Sequence, residues 1–225
     1  FPDHAALSAA VPGHPVYLRR VDGHAALVNA AALSLAGISA ATPDPPGGRL
    51  ERRADGTPTG VLVDGAMTLV SRLVPPPDLA ARRERLRLAL AHCAAAGLTG
   101  AHDAGVDTAA VGDYRALLAA GQLPLRIHAM WDVETDAAAT GALQAVLQAG
   151  PQPFDSTVHL ALRTVKLYAD GALGSRGAAL LAPYTDAPEQ SGLPQCTGPE
   201  FLALVTPLHD AGFQIATHAI GDAAN

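Results

Sequence analysis

The chain has 225 residues, a net charge of −6, a pI near 5.8 and 49% apolar residues, so a sizeable core can be buried. The acidic balance argues against a nucleic-acid partner, and the densest basic run, 81–90, is interrupted by Glu84 and reads as a solvated helix face. Two cysteines, Cys93 and Cys196, exclude a disulfide framework or a cysteine zinc site. No apolar run reaches the roughly 18 residues of a membrane span, and "FPDHAALSAA" is no signal peptide, so a soluble cytoplasmic protein is expected.

The first 72 residues differ from the rest and read as an inserted cap or side element. "DGHAALVNAAALSLAGI" predicts a helix ended by Gly37, and "RLERRADGTPTGVLV" predicts a hairpin turning at Asp55-Gly56. From there on, over 73–225, strand and helix alternate. "PPPDLAARRERLRLALAHCAAAG" predicts a helix capped by Asp78 and stopped at Gly97. "LTGAH" follows as a strand, then a helix from Thr108, as its cap, to Gly121. "PLRIHAMW" is the next strand, and a helix is expected over 135–149. "VHLALRTVKLY" is a third strand. "GPEFLALVTPLHDAG" predicts a helix kinked or stopped early by Pro207, "FQIATH" a fourth strand, and "GDAAN" the start of another helix.

Repeated βα units with short apolar strands imply a parallel sheet covered by helices. No Gly-x-Gly-x-x-Gly follows any strand, which weakens the dinucleotide-binding open sheet. Each strand instead runs apolar and ends in chemistry: His102-Asp103, Trp131-Asp132, Lys166 with Asp170, and His218 with Asp222. Working residues gather at the carboxyl ends of strands in (β/α)8 barrels, so the fold expected is α/β, about half of such a barrel.

Lys166 is the one lysine in the chain, against 14 arginines. Alternation along a strand sets Val165 and Leu167 on one face and Lys166 and Tyr168 on the other, while Gln214, Ala216 and His218 share a face. If the two strands pair, about 4.8 Å apart, a lysine and a histidine point into one small space. The bland alternatives stay open: a lysine head group snorkelling to solvent, and a hydrogen-bonded structural histidine. His102 and His128 fit the structural role, and Trp131 fits either a pocket lining or a barrel plug.

"VKLYADGALGSRGAALLAPYTDAPEQSGL" resembles the signature of the amidohydrolase superfamily, in the branch called amidohydrolase family 3, which includes N-substituted formamide deformylases. "THAIGDAAN", "DGHAALVNAAALSLAGI" with "TGVLVDGA", and "AAAGLTGAHDAG" are similar to further segments of that group, in the same order. The resemblance implies a (β/α)8 barrel with one or two divalent metals, zinc foremost. It implies that Lys166 is carbamylated and ligates metal, with His218 as an imidazole ligand. Arginine cannot imitate such a lysine, because only a neutral amine adds carbon dioxide. Asp170, Ser175 and Arg176 then belong to a substrate-binding loop, where Arg176 pairs either with a substrate carboxylate or with an acidic group of the protein.

The pattern of full members also includes a His-X-His pair on the first strand, a histidine on the sixth and a general-base aspartate on the eighth, none of which can be placed here. The segment is therefore expected to be the middle of a longer enzyme, with little activity alone, and its exposed barrel edges invite self-association. The function expected of the whole is hydrolysis of a non-peptide carbon–nitrogen bond, such as an amide or N-formyl group of a small molecule, by metal-activated water. A Schiff-base lysine barrel of the aldolase type and a non-catalytic binding or assembly fragment are the alternatives.

Overall fold

The computed structural model describes residues 1–133, 139–154 and 159–225. The chain divides into two units: Phe1–Pro75 with Ala169–Cys196 and Ala219–Asn225, and Pro76–Tyr168 with Thr197–His218. The first unit thus takes in two later segments that the sequence reading leaves with the barrel.

In the first unit, α1 (Ala5–Ala10), β1 (Tyr17–Arg19), β2 (Ala25–Val28), α2 (Ala30–Leu35), β3 (Gly48–Arg52), β4 (Pro58–Asp64) and α3 (Thr68–Ser71) follow in order. The strands form an antiparallel sheet in the order β1-β2-β4-β3. The expected hairpin is β3–β4; Gly56, at φ 84°, makes the turn, and Asp55 accepts from the Thr57 amide at 2.9 Å. The helix expected from Asp22 to Gly37 is instead a strand followed by a helix. Asn29 sets the break: its Oδ1 accepts from the Ala32 amide at 3.0 Å and caps α2, and from the Val16 amide at 2.9 Å. The Asn29 amide nitrogen donates to the Val11 and His14 carbonyls, so this fully buried side chain is satisfied on every side. Val28, Leu50 and Leu62 pack with Leu33, Met67 and Val70 as the unit's core.

The second unit runs α4 (Leu79–Ala95), β5 (Gly100–Val106), α5 (Thr108–Ala119), β6 (Arg126–Asp132), α6 (Ala139–Ala149), β7 (Leu160–Tyr168), α7 (Gly198–Asp210) and β8 (Gln214–His218). The four strands are parallel and lie in sequence order, β5-β6-β7-β8. An order without reversal has no switch point of the doubly wound kind. It is the order of consecutive staves, and the unit is a partial (β/α)8 barrel. Asp78 caps α4 as expected. Asp107, one residue ahead of Thr108, caps α5 through the Ala110 amide at 2.7 Å. Of the helix expected over 135–149, residues 135–138 lie outside the described residues. α7 runs through Pro207 to Asp210. A capping box between Thr197 and Glu200 holds its start, and at its end Phe213 donates to the Leu208 carbonyl at 3.0 Å. Fully buried Leu208 between those ends anchors the turn that carries the proline. Residues 222–224 form a turn rather than the start of a helix.

Alternation along β6 and β7 decides which face meets the helices. Ile127, Ala129 and Trp131, with Val165 and Leu167, turn toward α4, α5 and α7 and pack against Leu90, Val111, Leu117 and Leu208. Trp131, only 4% exposed, therefore belongs to this helix-facing core and neither lines a pocket nor plugs a barrel. Asp103 turns outward too, accepting from the Tyr114 hydroxyl at 2.8 Å. Burial, and then that carboxylate, push the Tyr114 hydroxyl well above its usual pKa.

Candidate active site

The opposite face of the parallel sheet carries the polar residues, in layers fixed by register. In the lower layer His102 pairs with His128, ring centroids 4.9 Å apart and edge to face. The His128 Nε2 lies 2.7 Å from the Thr164 hydroxyl, which donates in turn to Gln214 Oε1 at 3.3 Å. Burial, then the neighbouring His102 and Arg163, hold His128 below the usual imidazole pKa. His128 thus joins its neighbouring strands through a ring contact on one side and a hydrogen bond on the other.

One layer up, Asp132 is in register with Lys166, and Lys166 with Ala216. Above that, Tyr168 is in register with His218. The Lys166 ammonium lies 3.4 Å from the centroid of the Tyr168 ring and donates to the Leu167 carbonyl at 3.0 Å. The other side of this aromatic contact is His218, whose ring lies 5.6 Å from that of Tyr168. Lys166 and His218 thus belong to one cluster on one face, with Tyr168 touching both. Burial lowers the Lys166 pKa from its ordinary value, and the Asp132 charge opposes the shift. Burial likewise raises the Asp132 carboxyl, against the pull of Lys166.

Asp132 and Tyr168 are functional candidates that the sequence reading names without assigning to the site. The signals are present: Tyr168 lies two residues beyond Lys166, and Asp132 closes its strand. What one sequence lacks is the register that sets Asp132 beside Lys166. Asp132 Oδ1 is buried and has no hydrogen-bond partner among the described residues. A Cβ placed on Gly105 would lie 3.6 Å from the Asp132 carboxylate and 3.8 Å from the Tyr168 hydroxyl, so both groups face that glycine.

The other three predicted site residues lie in the first unit. Asp170 is 1% exposed, and its carboxylate accepts from the amides of Ala179 (2.8 Å), Ile220 (2.9 Å) and Gly221 (2.7 Å). Ser175 is fully buried and donates to the Ala172 carbonyl at 3.2 Å. Arg176 has φ 55° and pairs with Asp186 at 3.0 Å; the hydrogen bond it donates to that carboxylate raises the arginine pKa further. With Phe1, Leu173, Gly174 and Tyr184 this ion pair lines a cavity of about 240 Å³. The same unit holds a His24–Asp64 pair at 2.7 Å, joined across 40 residues of sequence. Gly171 and Gly177 sit so close to the Asp64 carboxylate that a Cβ at either would collide with it.

The model of the amidohydrolase family matches residues 1–225. The chain belongs to the amidohydrolase family. It is 36% identical over 220 residues to YtcJ of Bacillus subtilis, which is named as an amidohydrolase, covering 95% of the chain and 39% of that protein. It is 34% identical over 225 residues to the protein LONG AFTER FAR-RED 3 of Arabidopsis thaliana, covering 95% of the chain and 37% of the relative. To the N-substituted formamide deformylase of Arthrobacter pascens it is 36% identical over 134 residues, 57% of the chain and 24% of the relative. The chain therefore spans less than two fifths of the length of the curated relatives it matches. Among solved structures, metal-dependent hydrolases of Pyrococcus horikoshii (TM-score 0.66, 23% identity) and Pyrococcus furiosus (0.63, 24%) match its whole length with 42% and 44% of theirs. They share its fold.

The metal-dependent chemistry in those names puts a divalent ion to the test here. Among the described residues no group of three or more histidine, cysteine, aspartate or glutamate side chains is arranged to hold one. The cluster on the sheet does offer one imidazole, one lysine nitrogen with lowered basicity and one buried carboxylate oxygen lacking a hydrogen-bond partner among the described residues. Such donors suit a borderline ion, and they fit as part of a ligand set.

Proposed function

We propose that this chain is the central part of a metal-dependent hydrolase that cleaves a carbon–nitrogen bond other than a peptide bond, of the amide or N-formyl kind. The observation that carries the reading is the cluster of Lys166, Tyr168 and His218 on one sheet face of an amidohydrolase-family chain. The name of the N-substituted formamide deformylase supports the N-formyl group as substrate.

Lys166 and His218 would hold the ion, most simply zinc, which when bound supplies Lewis acidity toward a carbonyl and an acidified water. Burial favours the neutral amine of Lys166. Its nitrogen lone pair then attacks the carbon of carbon dioxide, one C–O π pair moves onto oxygen, and the nitrogen's proton leaves to solvent. The product is an N-carboxylate whose oxygens are better donors than an ammonium. The Tyr168 ring, lying over Nζ, excludes water from that flank and keeps the lysine extended along its strand. Asp170, Ser175 and Arg176 are proposed to act through the loop they belong to. Asp170 and Ser175 fix its backbone, and the Arg176 guanidinium, 27% exposed, meets an anionic substrate group in exchange for Asp186.

The test is metal content and turnover of the full-length protein purified without chelators, assayed on N-formyl and N-acyl amines. A bound divalent ion, with loss of hydrolysis on its removal and recovery with zinc or manganese, is the expected result. A protein that carries no ion and gains no hydrolysis with either metal overturns the reading. A borohydride-reducible adduct on Lys166 with a carbonyl compound would point to the Schiff-base alternative instead.

A further inference from the structure

Asp132 is the least explained charged group of the second unit. It ends β6 on the face shared with His128 and Met130, in direct register with Lys166 on the neighbouring strand. Adjacent strands lie about 4.8 Å apart, so the carboxylate and the lysine stem stand side by side. Each other charged or aromatic member of the cluster has a contact to account for it: Lys166 with Tyr168 and the Leu167 carbonyl, Tyr168 with His218. Asp132 Oδ1, by contrast, is buried and finds no hydrogen-bond donor among the described residues. A buried carboxylate oxygen in that state costs free energy unless a cation or a donor joins it. Its other oxygen faces Gly105, a residue at φ 139°, where the absence of a side chain leaves the carboxylate uncovered.

We propose that Asp132 is a further ligand of the divalent ion, beside Lys166 and His218, the three drawn from three consecutive strands. This rests on the hydrolase reading above. The electrostatics favour it in the form that reading requires. As an ammonium, Lys166 is a counter-charge for Asp132. As an N-carboxylate it carries the same sign, and two anions on adjacent strands need a cation between them.

Zinc affinity of the full-length protein decides the matter, measured by competition with a chelator and ion content after dialysis, alongside the visible absorption of a cobalt-substituted sample. Asp132→Asn should weaken zinc by tenfold or more, as ligand loss must at least match the roughly 10–100-fold cost of removing an outer-shell partner. It should also change the cobalt spectrum, while Lys166→Met and His218→Ala lose the ion outright. Asp132→Glu, which keeps a carboxylate, should recover part of the affinity. That variant decides the question if circular dichroism finds the asparagine form misfolded, and a glutamate form that folds but binds no zinc then overturns the proposal. Zinc held by Asp132→Asn as tightly as by the wild type, with the other two variants empty, overturns the role of Asp132 and leaves the hydrolase reading standing. A wild-type protein that binds no divalent ion removes both.

Discussion

Asp170 of the first unit and Asp132 of the second meet their surroundings in opposite ways. In the first, Asp170 is surrounded by three backbone amides that aim their hydrogens at it, and Asp64 meets His24. Asp170 thus has its acceptor capacity committed to holding loops. In the second, Asp132 and Lys166 share a sheet face with little beyond each other and an aromatic ring. Local satisfaction suits Asp170 to building the fold, and the open acceptor of Asp132 suits the ligand role proposed for it. Substitutions should separate the two kinds, since the first costs stability and the second costs binding.

The largest stability loss is expected for Asp170→Ala. It strands three amides in a place where the side chain is 1% exposed, and should cost at least about 3 kcal/mol in urea or thermal unfolding. A variant as stable as the wild type would erase the distinction between the units. Asp113 gives an intermediate case inside the second unit. Its side chain is 2% exposed and pairs with Arg82 and Arg83, both more than a third exposed. The Arg82 hydrogen bond, helped by Arg83, holds its carboxyl below the ordinary 3.8. Its stabilisation is therefore present above that value and is lost as pH falls through the lower folded one. Asp113→Asn should flatten the acid limb below about pH 4, at a cost on the order of 1 kcal/mol at neutral pH. The smallest change in stability belongs to Lys166→Met. Burial depresses this lysine, so its contribution is complete only above 10.5 and falls away as pH drops through the lower folded value. Replacing it should leave stability within about 1 kcal/mol of wild type, on the stabilising side, while metal retention collapses.

Much of the second unit was legible in the sequence, because helix caps and strand alternation are local. Asp78, Gly97, the first-turn Pro199 and the run around Lys166 announce their elements within a few residues. The pairing of strands that brings Lys166 and His218 to one face was also within reach of pattern and order. The misreadings have one physical source each. Asn29 gathers partners 13 to 18 residues away, so nothing near it warns that a helix pattern breaks into strand and helix. Pro207 is tolerated because capping at one end and burial of Leu208 outweigh one missing amide. Asp132 and the His24–Asp64 pair depend on register or on contacts 40 residues apart, which a single sequence does not carry.

The amide clamp around Asp170 has a consequence for how the first unit comes apart. One carboxylate fastens residue 179 and residues 220–221, so segments separated by some forty positions are held at a common point. A protease cut in the stretch between them would leave both ends docked, and the nicked pieces should migrate together until that aspartate is replaced.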